Sequence, residues 1–213
     1  MTISELKMQV LEGEGEKLEF KKKVAFPEKI VREIVAFANT SGGHLFIGVD
    51  DNGIISGLKF PEEEHFEMER AIKNYCRPLI PYQSEIIPIS SKKSIIKYTI
   101  FESDKKPHFV VDISDGKKKA YVRVKDRSIQ ASKEIREILK RGRKNKDIRF
   151  RFGEKETILM KYLDQHKMVT VNQFAREAKL SKFMASRTLI LLVLANVLEV
   201  IPSEKEDMFK LKP

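Results

Sequence analysis

The chain has 213 residues, 41% of them hydrophobic, enough to bury a core and to exclude wholesale disorder. No apolar run approaches the roughly 18 residues of a membrane span, and the single cysteine, Cys76, excludes an internal disulfide and a cysteine-rich zinc site. The net charge of +10 is concentrated: residues 1–139 carry 24 basic and 22 acidic side chains, residues 153–213 carry 10 and 8, and "KRGRKNKDIRFR" at 140–151 carries seven and one. A block of that kind points to a polyanion or to a solvated linker.

In chain order, Ser4 to Val10 reads as a short helix capped by Ser4, and "KLEFKKKV" as a strand starting near Leu18. A helix follows from Pro27, with Ile30, Ile34, Phe37 and Ala38 at helical spacing, and Gly42-Gly43 end it. "HLFIGV" is then a buried strand, "DDNG" a hairpin turn and "IISGL" the returning strand. Glu63 to Cys76 reads as a helix. "SEIIPIS", "SIIKYTIF", "HFVVDI" and "AYVRVK" follow as strands, and Ser132 to Leu139 as a helix capped by Ser132. After the basic block come three helices, the last two capped by Thr170 and Ser181, then two short strands around "SEKED". Three helices and a hairpin are the winged-helix layout. The expected organisation is a first domain at 1–139, a basic linker at 140–152 and a winged-helix domain at 153–213.

The glycine pair does not make a phosphate loop. Gly42 and Gly43 are adjacent, no lysine follows them, and they end a helix, where the dipole repels anions. The stretch is a helix stop, a buried strand and a hairpin.

"EGEKLEFK" at 14–21, "IVAFANTSGGHLFIGVDDNGIISGL" at 34–58, "KPHFV" at 106–110 and "AYVRVKDRS" at 120–128 together resemble the Schlafen/Alba-like domain. That resemblance spans roughly residues 10–130. It implies an α+β domain, a Schlafen/Alba-like mixed sheet with flanking helices, and a role with nucleic acid. In the Schlafen branch it further implies an endoribonuclease site, which falls here on Glu14, Glu19 and Asp51, with Lys21 beside them. Three converging carboxylates could hold Mg²⁺ or Mn²⁺ and activate a water. Equally, Asp50-Asp51-Asn52-Gly53 is what a tight turn asks for. His44, at the start of a buried strand, and His108 give no case for a general base.

Candidate phosphate contacts are Lys21, Lys22 and Lys23, the Lys117–Lys119 run, and Arg123, Lys125 and Arg127, which alternate along one strand face with Val122 and Val124 inward. The basic block adds Lys140, Arg141, Arg143 and Lys144. In the tail, "LSKFMASRTL" resembles the second half of a helix-turn-helix, leaving Lys182, Phe183, Ser186 and Arg187 near a groove. "LILLVLA" at 189–195 is apolar all round, so that helix is buried on both sides, against the first domain or a second subunit.

The sequence thus leads to a nucleic-acid-binding protein, foremost a DNA-binding transcriptional regulator, with DNA favoured over RNA. No cofactor and no membrane are expected, a homodimer through the winged-helix domain is possible, and the N-terminus, without a signal-peptide core, points to the cytoplasm. The alternative is a metal-dependent endoribonuclease, the one reading that calls for Mg²⁺ or Mn²⁺.

Overall fold

Thr2, not Ser4, starts the first helix, α1 (Ile3–Glu12). The Thr2 hydroxyl accepts from the Glu5 amide while the Glu5 carboxylate accepts from the Thr2 amide, so two amides that the helix leaves orphaned are satisfied reciprocally. The computed structural model describes residues 1–142 and 151–213, and its contacts divide the chain into two units, Met1–Gln130 and Ala131–Pro213. Both mix helices with small sheets, so the class is α+β.

In the first unit, β1 (Leu18–Lys21) leads to α2 (Pro27–Asn39), β2 (Gly43–Ile47) and α3 (Pro61–Tyr75). β3 (Cys76–Arg77), β4 (Tyr82–Ser90), β5 (Lys93–Ile100), β6 (Phe109–Val111), β7 (Lys118–Lys119), β8 (Tyr121–Val124) and β9 (Arg127–Gln130) follow. The main sheet has the order β1-β2-β5-β4, with β1 parallel to β2 and the other pairs antiparallel. Alternation along β2 serves two cores. Leu45 and Ile47 pack with Ile34, Phe37, Met68 and Tyr98, whereas Phe46 packs with Leu6, Val10, Phe20 and Ile95. Helices α2 and α3 thus supply one core and α1 the other.

The Ala-Asn-Thr-Ser-Gly-Gly stretch is a knot rather than a cradle. Asn39, 1% exposed, donates to the carbonyls of His108 and Tyr121 and accepts from the His108 amide at 2.7 Å. The Thr40 hydroxyl donates to Ala36 O and accepts from the Arg123 amide at 2.9 Å. Gly42 lies in the left-handed region at φ +72 and its amide returns to Phe37 O, which closes the helix. A Cβ on Gly43 would sit 2.4 Å from the Phe37 ring, so only glycine lets helix and strand approach.

"IISGL" does not form the expected returning strand. Gly48 and Gly57 take φ +105 and +66, which bends the backbone out of the ladder, and only the bridges Val49↔Ile55 and Leu58↔Ser94 remain. The turn itself is as expected: Asp50 Oδ1 accepts from the amides of Asn52 and Ile54 at 3.1 and 2.9 Å.

The second unit contains α4 (Lys133–Gly142), α5 (Glu154–His166), β10 (Met168–Val169), α6 (Val171–Glu177), α7 (Lys182–Leu194), β11 (Leu198–Ile201) and β12 (Met208–Leu211). Its sheet has the order β10-β12-β11, and Leu159, Leu163, Phe174, Leu189, Leu192 and Phe209 fill its core. The hydroxyls of Thr170 and Ser181 cap α6 and α7. Helix α4 packs on α7, so it belongs with this unit and the contacts divide the chain at Gln130, ahead of Leu139. Among the described residues no helix is long and apolar enough to cross a membrane.

Candidate nucleic-acid interface

Strand β1 carries Glu19 toward α2 and β8, and there it meets Arg123. The guanidinium is 1% exposed and binds Glu19 Oε2 at 2.6 Å and Glu33 Oε2 at 2.7 Å. Its other protons reach Gly15 O at 3.0 Å and Leu18 O at 3.2 Å. Lys21 Nζ pairs with the other Glu19 oxygen and donates to Phe20 O at 2.7 Å. Glu14 Oε1 accepts from the Phe20 amide at 2.9 Å. Burial, with the nearby Glu19 and Asp51 charges, holds the Glu14 carboxyl above the ordinary range. Burial and Glu19 do the same to Glu33. Burial opposes the charge on Lys21, but Glu19, with Glu14 and Glu33, outweighs it and raises the pKa.

Glu14, Glu19, Asp51 and Lys21 therefore share one electrostatic neighbourhood. The three carboxylates do not make a cation cage as they stand. Both oxygens of Glu19 are engaged by basic side chains, and among the described residues no three His, Cys, Asp or Glu groups are arranged to hold a metal.

Arg123 corrects the expected basic strip. It points inward, neutralised by two carboxylates, and β8 ends one residue later, at Val124, and reverses in a two-residue turn. Lys125 lies in that turn at φ 56 and Arg127 on β9, so the three side chains do not share a strand face. Lys21 is likewise spent on Glu19.

Lys22 and Lys23 fare differently. Both are exposed, and among the described residues no carboxylate lies within ion-pair distance of either. They help line a cleft of about 520 Å³ together with Lys59, Phe60 and Lys93 and with Glu63, Glu64 and Glu67 of α3. Lys59 is unpaired by the same measure, and among the described residues Lys93 Nζ donates only to Ser56 O, at 2.6 Å. Phe60, immediately ahead of α3, is 65% exposed. Lys59, Phe60 and Lys93 were not legible as site residues. The first two sit in "GLKFPEEE" and the third in the "SSKK" turn, and the Leu58↔Ser94 bridge brings them together, with the Lys93 bond to Ser56 O beside it.

In the second unit, Lys140 and Arg141 lie in the last turn of α4, Arg141 near Glu137 at 3.9 Å. Arg143 and Lys144, with the rest of the basic block to residue 150, lie outside the described residues. Lys182 and Arg187 are exposed on α7. Ser186 is not available to a groove: it is 7% exposed and donates to Glu134 Oε1 at 2.6 Å, beneath α4. Phe183, Ser186 and Ile190 follow helical spacing on the side of α7 that faces α4, opposite Ala185, Leu189 and Leu192 in the core. A helix of this same unit thus provides the second apolar partner that "LILLVLA" asks for.

The model of the Schlafen, AlbA_2 family matches residues 14–132. No curated protein matches the chain. Among solved structures, the chain is similar to the N-terminal domain of a Nitrosomonas europaea protein related to the ATP-dependent DNA helicase RecG. Identity is 16% and the TM-score 0.42, over 58% of this chain and 88% of that one. It is also similar to the DIP2311 protein of Corynebacterium diphtheriae, at 16% identity and a TM-score of 0.42, over 62% of this chain and 31% of that one.

Proposed function

The chain belongs to the Schlafen, AlbA_2 family, and from that premise we propose that it binds nucleic acid through the lysine-lined cleft of its first unit. One observation carries the reading: Lys22, Lys23, Lys59 and Lys93 meet at one cleft and, among the described residues, none has a carboxylate within ion-pair distance, while Lys21 and Arg123 are consumed internally. Unpaired ammonium groups release condensed counterions when they meet phosphates, so affinity falls with salt. A salt titration of the full chain on duplex DNA tests this. Replacing Lys22 and Lys23 by Ala lowers the slope of log K against log salt by roughly 0.9 for each phosphate that is no longer neutralised. Absence of binding at low ionic strength would refute the proposal.

Within that function the chain acts as a cytoplasmic transcriptional regulator, with DNA preferred to RNA. The second unit is read as a winged-helix module, from the order α5, α6, α7 and the β11–β12 hairpin. With Ser186 beneath α4, that module offers Lys182 and Arg187 rather than the whole outer face of α7, and pairing of two copies through it is the expected dimer. Gel filtration of the full chain against a chain ending at Gln130 tests the dimer.

A metal-dependent endoribonuclease is the second reading, favoured by the shared field of Glu14, Glu19 and Asp51. A Mg²⁺ or Mn²⁺ ion at Glu19 would first have to displace Lys21 or Arg123. Asp51 is exposed, so Asp51→Asn leaves the fold alone. Mn²⁺-dependent cleavage of structured RNA, lost in that variant, would establish the nuclease.

A further inference from the structure

We propose that the cleft beside α3 is a base-stacking site for a single-stranded nucleic acid, in which Phe60 is the stacking platform and Lys22, Lys23, Lys59 and Lys93 hold the flanking phosphates. The inference rests on the nucleic-acid reading above and specifies what that reading leaves open, the form of the strand. Its volume, about 520 Å³, falls within the range of small-ligand pockets, roughly 300–1,000 Å³, which leaves room for an unstacked base with its sugar and phosphate.

The charges around the cleft are divided. Besides the lysines, the first turns of α3 bring Glu63, Glu64 and Glu67 to its lining, and Glu64 lies against Val24, next to Lys23. A phosphate ridge running through the cleft would meet those carboxylates. A base inserted edge-first presents amino donors to them instead, while its own phosphates stay at the lysines. Glu64 Oε2 is held by the Val24 amide at 2.5 Å and Glu67 Oε2 by Arg70, while among the described residues Glu63 has no hydrogen-bond partner, so it is the least engaged acceptor.

The platform is built in advance. Phe60 directly precedes Pro61, the first residue of α3, and Leu58 exchanges two backbone hydrogen bonds with Ser94, at 2.7 and 3.1 Å. A ring that is 65% exposed on so fixed a backbone contributes little to the core, and its open face accepts any base.

The chain has no tryptophan, so Phe60→Trp installs a single fluorescent reporter. The test uses the full chain and three fluorescein-labelled probes: a single strand of about 10 nucleotides, an abasic strand of equal length and the corresponding duplex. Each is prepared as DNA and as RNA, and a parallel unlabelled set is used for the tryptophan readout. Phe60→Ala weakens binding of the base-bearing single strand roughly 5- to 100-fold, and leaves the abasic strand and the thermal midpoint unchanged. In Phe60→Trp the base-bearing single strand quenches the indole fluorescence; the abasic strand and the duplex do not. If Phe60→Ala leaves the base-bearing strand unaffected while the Lys22 and Lys23 substitutions still weaken it, stacking is overturned and phosphate binding survives. If no probe binds, both proposals fall.

Discussion

Arg123 reaches across 90 to 108 positions of the chain, to Gly15, Leu18 and Glu19 on one side and Glu33 on the other. Among the described residues, removing it leaves the half-buried Glu33 with only the Ser128 hydroxyl and Glu19 with only Lys21, in a place where water compensates them poorly. Arg123→Ala therefore costs about 3–5 kcal/mol in urea denaturation, and the loss falls on the first unit. Glu14 gives a pH signature. Its folded carboxyl titrates above the ordinary 4.5, so the native state keeps a proton that the unfolded chain has lost. Its contribution to stability is therefore most favourable below the ordinary value and declines as pH rises through the folded one. Glu14→Gln removes that decline. Its stability relative to the parent improves from about pH 4 to pH 7, read as urea midpoints, and a flat difference would contradict the assignment.

At the scale of elements, α4 and α7 show what periodicity can and cannot say. Ile135, Ile138 and Leu139 recur at helical spacing, and the apolar run at 189–195 announces a helix buried on two sides. Neither pattern names its partner. The contacts pair them with each other, with Ser186 bonded to Glu134 and Ile190 5% exposed. Ile190→Ala costs about 2–5 kcal/mol of the second unit's stability, read by thermal or urea melts, while a variant of the exposed Arg187 leaves it unchanged. The same limit explains the basic strip. "VRVKDR" alternates on paper, but Lys125-Asp126 is a turn, and that turn separates the three cations. Helix and strand identities in "ANTSGGHLFIGV" were legible because cap, periodicity and glycine agree there. Residues 56–60 were not, because bridge geometry at Gly48 and Gly57 replaces a ladder.

At the scale of the whole molecule, the division after Gln130 is open to test. A chain ending at Gln130 remains monodisperse by light scattering, because α4 leaves with the unit on which it packs. A chain ending at Leu139 carries the apolar stripe of α4 without α7 and self-associates. The family match to residues 14–132 stops close to the same point. The charge map gave the basic block its place, but charge alone said nothing about where the packed helix before it belonged.

Asn39 sets an order of events for the newborn chain. The two carbonyls it serves belong to His108 and Tyr121, which leave the ribosome some 70 to 80 residues later. Until they emerge, the buried end of α2 has a side-chain amide with nothing to bind, and the sheet lacks its closing clasp. Completion of the first unit is thus timed by translation rather than by the helix that begins it, and nascent chains halted before Tyr121 should remain protease-sensitive while those past Gln130 become resistant.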